Sequence, residues 1–212
     1  SPFHDELIAA RGKPRPAARM LADYLAGMSS EEIRERQRAA DLAIIEMGIS
    51  FTVYSEGENI DRAWPFDIIP RVIPRKEWRG IEAGLVQRLQ ALNLFIQDIY
   101  NEQRILRDKV LPEHVLQQSK GLRKQCLGFT PPLGVWAHIC GSDLVRDADG
   151  TIYVLEDNLR TPSGVSYMLE DREAMLQLTP ELFQRLKVAP VETYPENLRR
   201  TMESVAPAGA GS

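Results

Sequence analysis

The chain has 212 residues, of which 43% are hydrophobic and 26% charged, with a formal net charge of −4; this is ordinary for one large or two small globular domains and argues against a nucleic-acid surface, which needs a basic field. No apolar run approaches the ~20 residues that span a bilayer, and the opening SPFHDELIAARGKPRP has no signal-peptide core. Two cysteines, Cys126 and Cys140, lack disulfide-framework or zinc spacing and read as buried, reduced thiols of a cytoplasmic protein.

Residues 1–28 predict a helical extension, with Met20, Leu21, Tyr24 and Leu25 at helical spacing after Pro14 and Pro16. Ser29 and Glu32 form a capping box for a helix over Ser30–Met47, with Gly48 as its stop. The apolar end of that helix, Leu42, Ile44 and Ile45, is expected in the core. Phe51–Tyr54 reads as a strand and Ser55–Asn59 as a polar turn. Pro65, Pro70 and Pro74 keep the next segment extended.

The clearest helix runs from Trp78 to Tyr100, where Ile81, Leu85, Leu89, Leu92, Ile96 and Ile99 repeat at three- and four-residue steps. Burying all six would contribute on the order of 10 kcal/mol before entropy. A short helix or turn is expected over 104–111, a helix over 113–119, a strand over Leu133–Ile139, and helices over 168–178, 180–188 and 195–204. His138 reads as a packed histidine in an apolar run. The small-residue end, 205–212, reads as a tail or linker.

The chemistry concentrates in LVRDADGTIYVLEDNLRTPSGVSY, residues 144–167. Asp149-Gly150 between two apolar runs predicts a hairpin. Its second strand ends in Glu156-Asp157-Asn158, with Glu156 and Asn158 on one face and Asp157 on the other. Asp143, on the partner strand, lies opposite or diagonal to that pair. Two carboxylates and a carboxamide are hard oxygen donors suited to Mg²⁺ or Mn²⁺ shared with a phosphate rather than to zinc. Carboxylates at strand ends also occur simply as solvated groups. The following loop, with Arg160, Thr161, Ser163 and Gly164, reads either as a plain connection or as an anion cradle of backbone N–H groups, hydroxyls and a guanidinium.

Asp143 with YVLEDNLRTPSGVSY and Glu170-Asp171-Arg172 resembles the circularly permuted ATP-grasp proteins, relatives of glutathionylspermidine synthase. The resemblance extends through WPFDIIP (64–70) and DIYNEQRIL (98–106), covering the chain from about Arg34 to about Pro195. It implies an α+β fold, mainly antiparallel sheet flanked by helices, and the N-terminal portion of a longer protein. On that reading residues 29–204 are the metal-binding part of the catalytic region and a second nucleotide-binding portion follows.

The resemblance implies an ATP-dependent carboxylate–amine or carboxylate–thiol ligase, with ATP as co-substrate and a small carboxylate, amine or peptide as partner. Asp143, Glu156 and Asn158 match the positions that hold the Mg²⁺ or Mn²⁺ bridging the ATP phosphates. Arg160, Ser163 and Arg172 become candidates to contact substrate anions, and Arg71, Thr161 and Gly164 candidates to contact the nucleotide. Glutathionylspermidine synthases differ after the Asn, so the Arg160 contact does not transfer from them. Arg172 reads otherwise as a surface partner of Glu170 or Asp171, and Asp67 and Asp98 as braces paired with nearby arginines. No second subdomain with a phosphate-gripping lysine is legible, so the isolated chain is expected to bind metal weakly without turning over ATP. The rival reading is a non-catalytic binding or assembly domain that keeps the fold.

Overall fold

The computed structural model describes residues 4–9, 12–55, 58–160, 162–207 and 209, with the backbone alone for the described part of 51–63. Half of the predicted tail, residues 208 and 210–212, therefore lies outside the described residues. In chain order the elements are α1 (Arg19–Ala26), α2 (Ser30–Glu46), β1 (Ser50–Ser55), β2 (Glu58–Ala63), α3 (Arg75–Tyr100), α4 (Arg104–Arg107) and α5 (Glu113–Gln118). Then come β3 (Gly141–Arg146), β4 (Ile152–Asn158), α6 (Gly164–Leu178), α7 (Pro180–Leu186) and α8 (Tyr194–Ser204). The class is α+β, with the described strands forming two separate two-stranded sheets, β1–β2 and β3–β4. Two compact units divide the chain: residues 1–77, 145–153 and 163–193 form one, and 78–144, 154–162 and 194–212 the other.

In the first unit, the capping box at Ser29 starts α2. The Ser29 hydroxyl accepts from Glu32 N at 3.2 Å, and the Glu32 carboxylate accepts from Ser29 N at 2.7 Å. The helix stops where Gly48 takes φ +70°, a conformation glycine adopts without penalty. Of its apolar end only Ile44 is buried; Leu42 and Ile45 are 60% and 58% exposed. Steps of 100° per residue put just one stripe of a helix against its neighbour. That stripe packs with Ile49 and with Ala174 of α6, surrounded by Trp64, Phe66 and Tyr167.

Gln37 explains why the proline-rich segment holds its path. Its side-chain N–H donates to Phe66 O at 2.6 Å, and its amide oxygen accepts from Ile68 N. β1 and β2 pair antiparallel from Ser50↔Ala63 to Ser55↔Glu58. β2 was not legible, because ENIDRA has neither β-branched richness nor apolar alternation. Pairing to β1 makes it a strand.

α3 begins three residues before Trp78, runs for 26 residues, and from Trp78 onward belongs to the second unit. Of the six predicted core side chains only Ile99 is fully buried, and the other five are half-buried. The 10 kcal/mol expectation is thus an upper bound. Residues 133–139 are not a strand. Side chains of α3 hold the segment instead: Asn93 Oδ1 accepts from the backbone N–H groups of Trp136 (2.8 Å) and Ala137 (3.0 Å), and Gln97 Oε1 accepts from the Trp136 side-chain indole. The Trp136 ring stacks on Tyr100 at 4.7 Å. With those donors taken, no ladder partner is needed. His138 in this segment is exposed rather than packed.

Asp98 is a brace, but through backbone rather than arginine. Its carboxylate accepts from Arg104 N (2.9 Å) and Ile105 N (3.0 Å), which lowers its pKa. Its carbonyl accepts from Asn101 N and Gln103 N, with Gln103 at φ +52°. Asp67 similarly accepts from Ile69 N rather than from an arginine.

Candidate functional site

The β3–β4 hairpin turns through Asp147–Thr151. Asp147 N donates to Thr151 O, Gly150 N donates to Asp147 O, and the Asp149 carboxylate accepts from Thr151 N. Gly150 has φ +91°, a conformation that favours glycine, and a β-carbon there would also lie 2.9 Å from the His4 imidazole, whose side chain would have to shift. Beside it the Arg146 side chain, 10% exposed, donates to Glu6 at 2.6 Å and to Glu77 at 2.5 Å. Arg71 makes a two-pronged contact with the same Glu6 carboxylate, at 2.5 and 2.6 Å. Arg71, and secondarily Arg146, hold the Glu6 carboxyl at about 2 against the opposing effect of burial.

At the open end of the hairpin the two faces separate. Asp157, with a side chain only 8% exposed, accepts from Ser142 Oγ at 2.7 Å and from Arg88 Nε at 2.6 Å. Ser142 and Asp157 therefore share one face, and alternation sends Asp143, Glu156 and Asn158 to the other. All three side chains are exposed. Asn158 Nδ2 donates to Glu156 Oε1 at 3.0 Å. Among the described residues no hydrogen bond engages the Asp143 carboxylate, Glu156 Oε2 or Asn158 Oδ1. Counting only His, Cys, Asp and Glu, no group of three metal donors forms among the described residues.

Gly141 opens this end. A β-carbon on it would lie 2.8 Å from the Pro162 Cβ and 3.9 Å from the Asn158 Cβ, so the absence of a side chain lets the loop after Asn158 fold close. Arg160 is exposed in that loop, and Thr161 lies outside the described residues. Ser163 precedes α6, its hydroxyl unused as a cap while its carbonyl accepts from Ser166 N and Oγ. A β-carbon on Gly164 would meet nothing within 4 Å.

Arg172 donates to Ala189 O at 2.9 Å, with its guanidinium over the Phe183 ring at 5.4 Å. It does not pair with Glu170 or Asp171. Burial raises the Asp171 carboxyl, partly offset by the Trp64 indole, and among the described residues Asp171 Oδ1 has no hydrogen-bond partner. Trp64 and Tyr167 stack at 4.4 Å. Both cysteines are free and half-buried rather than fully buried, and burial raises the Cys140 thiol, with the Asp157 charge adding to it.

Ser142, Gly141, Arg88, Glu6 and Glu77 escaped the sequence reading. Asp157 carried a weak signal, since an acid on the buried face of a strand must find a donor or cation. Nothing local names Arg88, 69 residues away.

The model of the circularly permuted ATP-grasp type 2 family matches residues 70–212. The chain belongs to that family. It is 45% identical over 205 residues to an uncharacterized protein of Synechocystis, covering 97% of this chain and 43% of that protein. An uncharacterized protein of Mycobacterium leprae is 38% identical over 95% of this chain and 35% of its own length. A Frankia casuarinae protein named "Putative glutamate--cysteine ligase 2-2" is 33% identical over 98% of this chain and 24% of its own length. The chain thus spans less than half the length of these relatives. Among the described residues no helix is long and apolar enough to cross a membrane.

Proposed function

We propose that this chain carries the metal-holding part of the active site of a longer ATP-dependent carboxylate–amine ligase. One observation carries the reading: Asp143, Glu156 and Asn158 share a face of the β3–β4 hairpin, with donor oxygens left free while their neighbour Asp157 is turned away and spent on Ser142 and Arg88. That donor set fits Mg²⁺ or Mn²⁺. Asp143 and Glu156 supply negative charge, and Asn158 a neutral oxygen oriented by its contact with Glu156. A bound divalent ion supplies neutralisation of phosphate charge.

In such a ligase the γ-phosphoryl group of ATP passes to a substrate carboxylate oxygen and ADP leaves. An amine nitrogen then attacks the acyl carbon, expels phosphate and loses its proton. Arg160, exposed two residues beyond Asn158, is the first candidate to hold an anion, followed in the chain by Thr161, Ser163 and Gly164. Arg71 and Arg172 would first have to exchange their partners, Glu6 and Ala189, to do so. The family match and the relative named as a glutamate–cysteine ligase support this class of reaction.

The test is isothermal titration of Mg²⁺–ATP into the full-length protein beside an Asp143→Ala/Glu156→Ala/Asn158→Ala variant. Metal-dependent binding that falls by at least tenfold in the variant is expected; equal binding in both would remove these residues from the site.

A further inference from the structure

We propose that Asp157, clamped by Arg88 and Ser142, is a positioning residue that sets the metal affinity of the opposite strand face. The inference rests on the metal-site reading above. Asp157 lies between Glu156 and Asn158 in the chain, so its side-chain direction dictates theirs. Both of its oxygens are engaged, one at 2.7 Å by Ser142 Oγ and the other at 2.6 Å by Arg88 Nε, with the side chain 8% exposed. Asp157 is therefore closed to a metal ion itself, although it is the third acid-or-amide residue of the same triplet.

The two clamping groups come from different elements. Ser142 sits next to Asp143 on β3, and Arg88 projects from the middle of α3. The hydroxyl ties β4 to β3, so Asp143 keeps its place relative to Glu156 and Asn158. The guanidinium ties β4 to a 26-residue helix, a support far stiffer than a two-stranded ribbon alone. On the metal-facing side Pro162 closes over Gly141 next to Asn158. An exposed two-stranded hairpin would otherwise twist freely, and its three donors would drift from the spacing a small divalent ion demands. Outer groups that orient ligands without touching the metal are typically worth 10- to 100-fold in metal affinity.

The experiment is Mn²⁺ titration of the full-length protein, read by electron paramagnetic resonance, on wild type, Asp157→Asn, Arg88→Ala, Arg88→Lys and Glu156→Ala. Thermal unfolding is followed in parallel. Asp157→Asn and Arg88→Ala are expected to weaken Mn²⁺ binding about tenfold, and Arg88→Lys to recover part of the loss. The KM for Mn²⁺–ATP should rise, and added Mn²⁺ should restore turnover. Unchanged Mn²⁺ affinity in folded Asp157→Asn and Arg88→Ala, with loss in Glu156→Ala, would overturn the positioning role and leave the metal site standing. Absence of Mn²⁺ binding in wild type would overturn both. Should Asp157→Asn fail to fold, Ser142→Ala, which removes one of the two clamps and little volume, carries the same expectation and the same refutation.

Discussion

A buried arginine with two acidic partners is the most expensive feature in the first unit to leave incomplete. Arg146 is 10% exposed and meets Glu6 and Glu77; removing one partner strands charge in a poorly solvated place. Glu6 is held at about 2, below its ordinary 4.5. A carboxyl lowered by folding stabilises the fold fully above its unfolded pKa and loses that contribution as pH falls through the folded one. Stability should therefore decline between about pH 5 and pH 2. The contribution is on the order of 2 kcal/mol, reduced because Arg71, the larger cause, is 70% exposed and screened. In denaturant titrations Glu6→Gln should be less stable than wild type at pH 7 by about that amount, and the gap should close toward pH 2. A gap that ignores pH would show that packing, not charge, holds this contact.

At the scale of elements, the hairpin was legible and much of what supports it was not. Asp149-Gly150 and the two flanking apolar runs predict β3 and β4, and the turn forms as expected with Gly150 at positive φ. Gly141 carries no such local mark; its need arises from Pro162, 21 residues on, whose ring would meet an added β-carbon at 2.8 Å. Gly141→Ala should therefore push the loop off the hairpin and cost about 1–3 kcal/mol, the usual range for overpacking. Chemical denaturation measures the loss, and Mn²⁺ affinity should drop with it because Asn158 borders the displaced proline. α3 teaches the converse. Its periodicity predicts a helix correctly, but periodicity marks a face and not how completely that face is covered; of the six side chains on it only Ile99, 4% exposed, is buried and the other five are half-buried.

At the scale of the molecule, the chain divides into two units of interleaved segments and has relatives more than twice as long. ATP-dependent ligation needs groups for the adenine and for the substrates as well as for the metal. We expect the isolated 212 residues to show no ATP turnover above background, and the full-length protein to show it with a suitable acid and amine. A phosphate-release assay on both distinguishes the cases; robust hydrolysis by the isolated chain would place a whole site within it. Hydrogen-exchange protection should be strongest around Ile44, Leu21 and Leu182, the most deeply buried large side chains.

By itself the sequence determined the local elements and the family. Capping at Ser29, the stop at Gly48, the turn at Gly150 and the alternation that splits Glu156 and Asn158 from Asp157 are short-range effects, written in adjacent residues. Contacts across long separations were left to tertiary structure. The β2 strand exists because β1 pairs with it, residues 133–139 stay irregular because Asn93 takes the Trp136 and Ala137 backbone donors, and Asp157 faces inward to Arg88. Each of these depends on which distant group arrives to satisfy a polar atom, and local propensity carries no record of that choice.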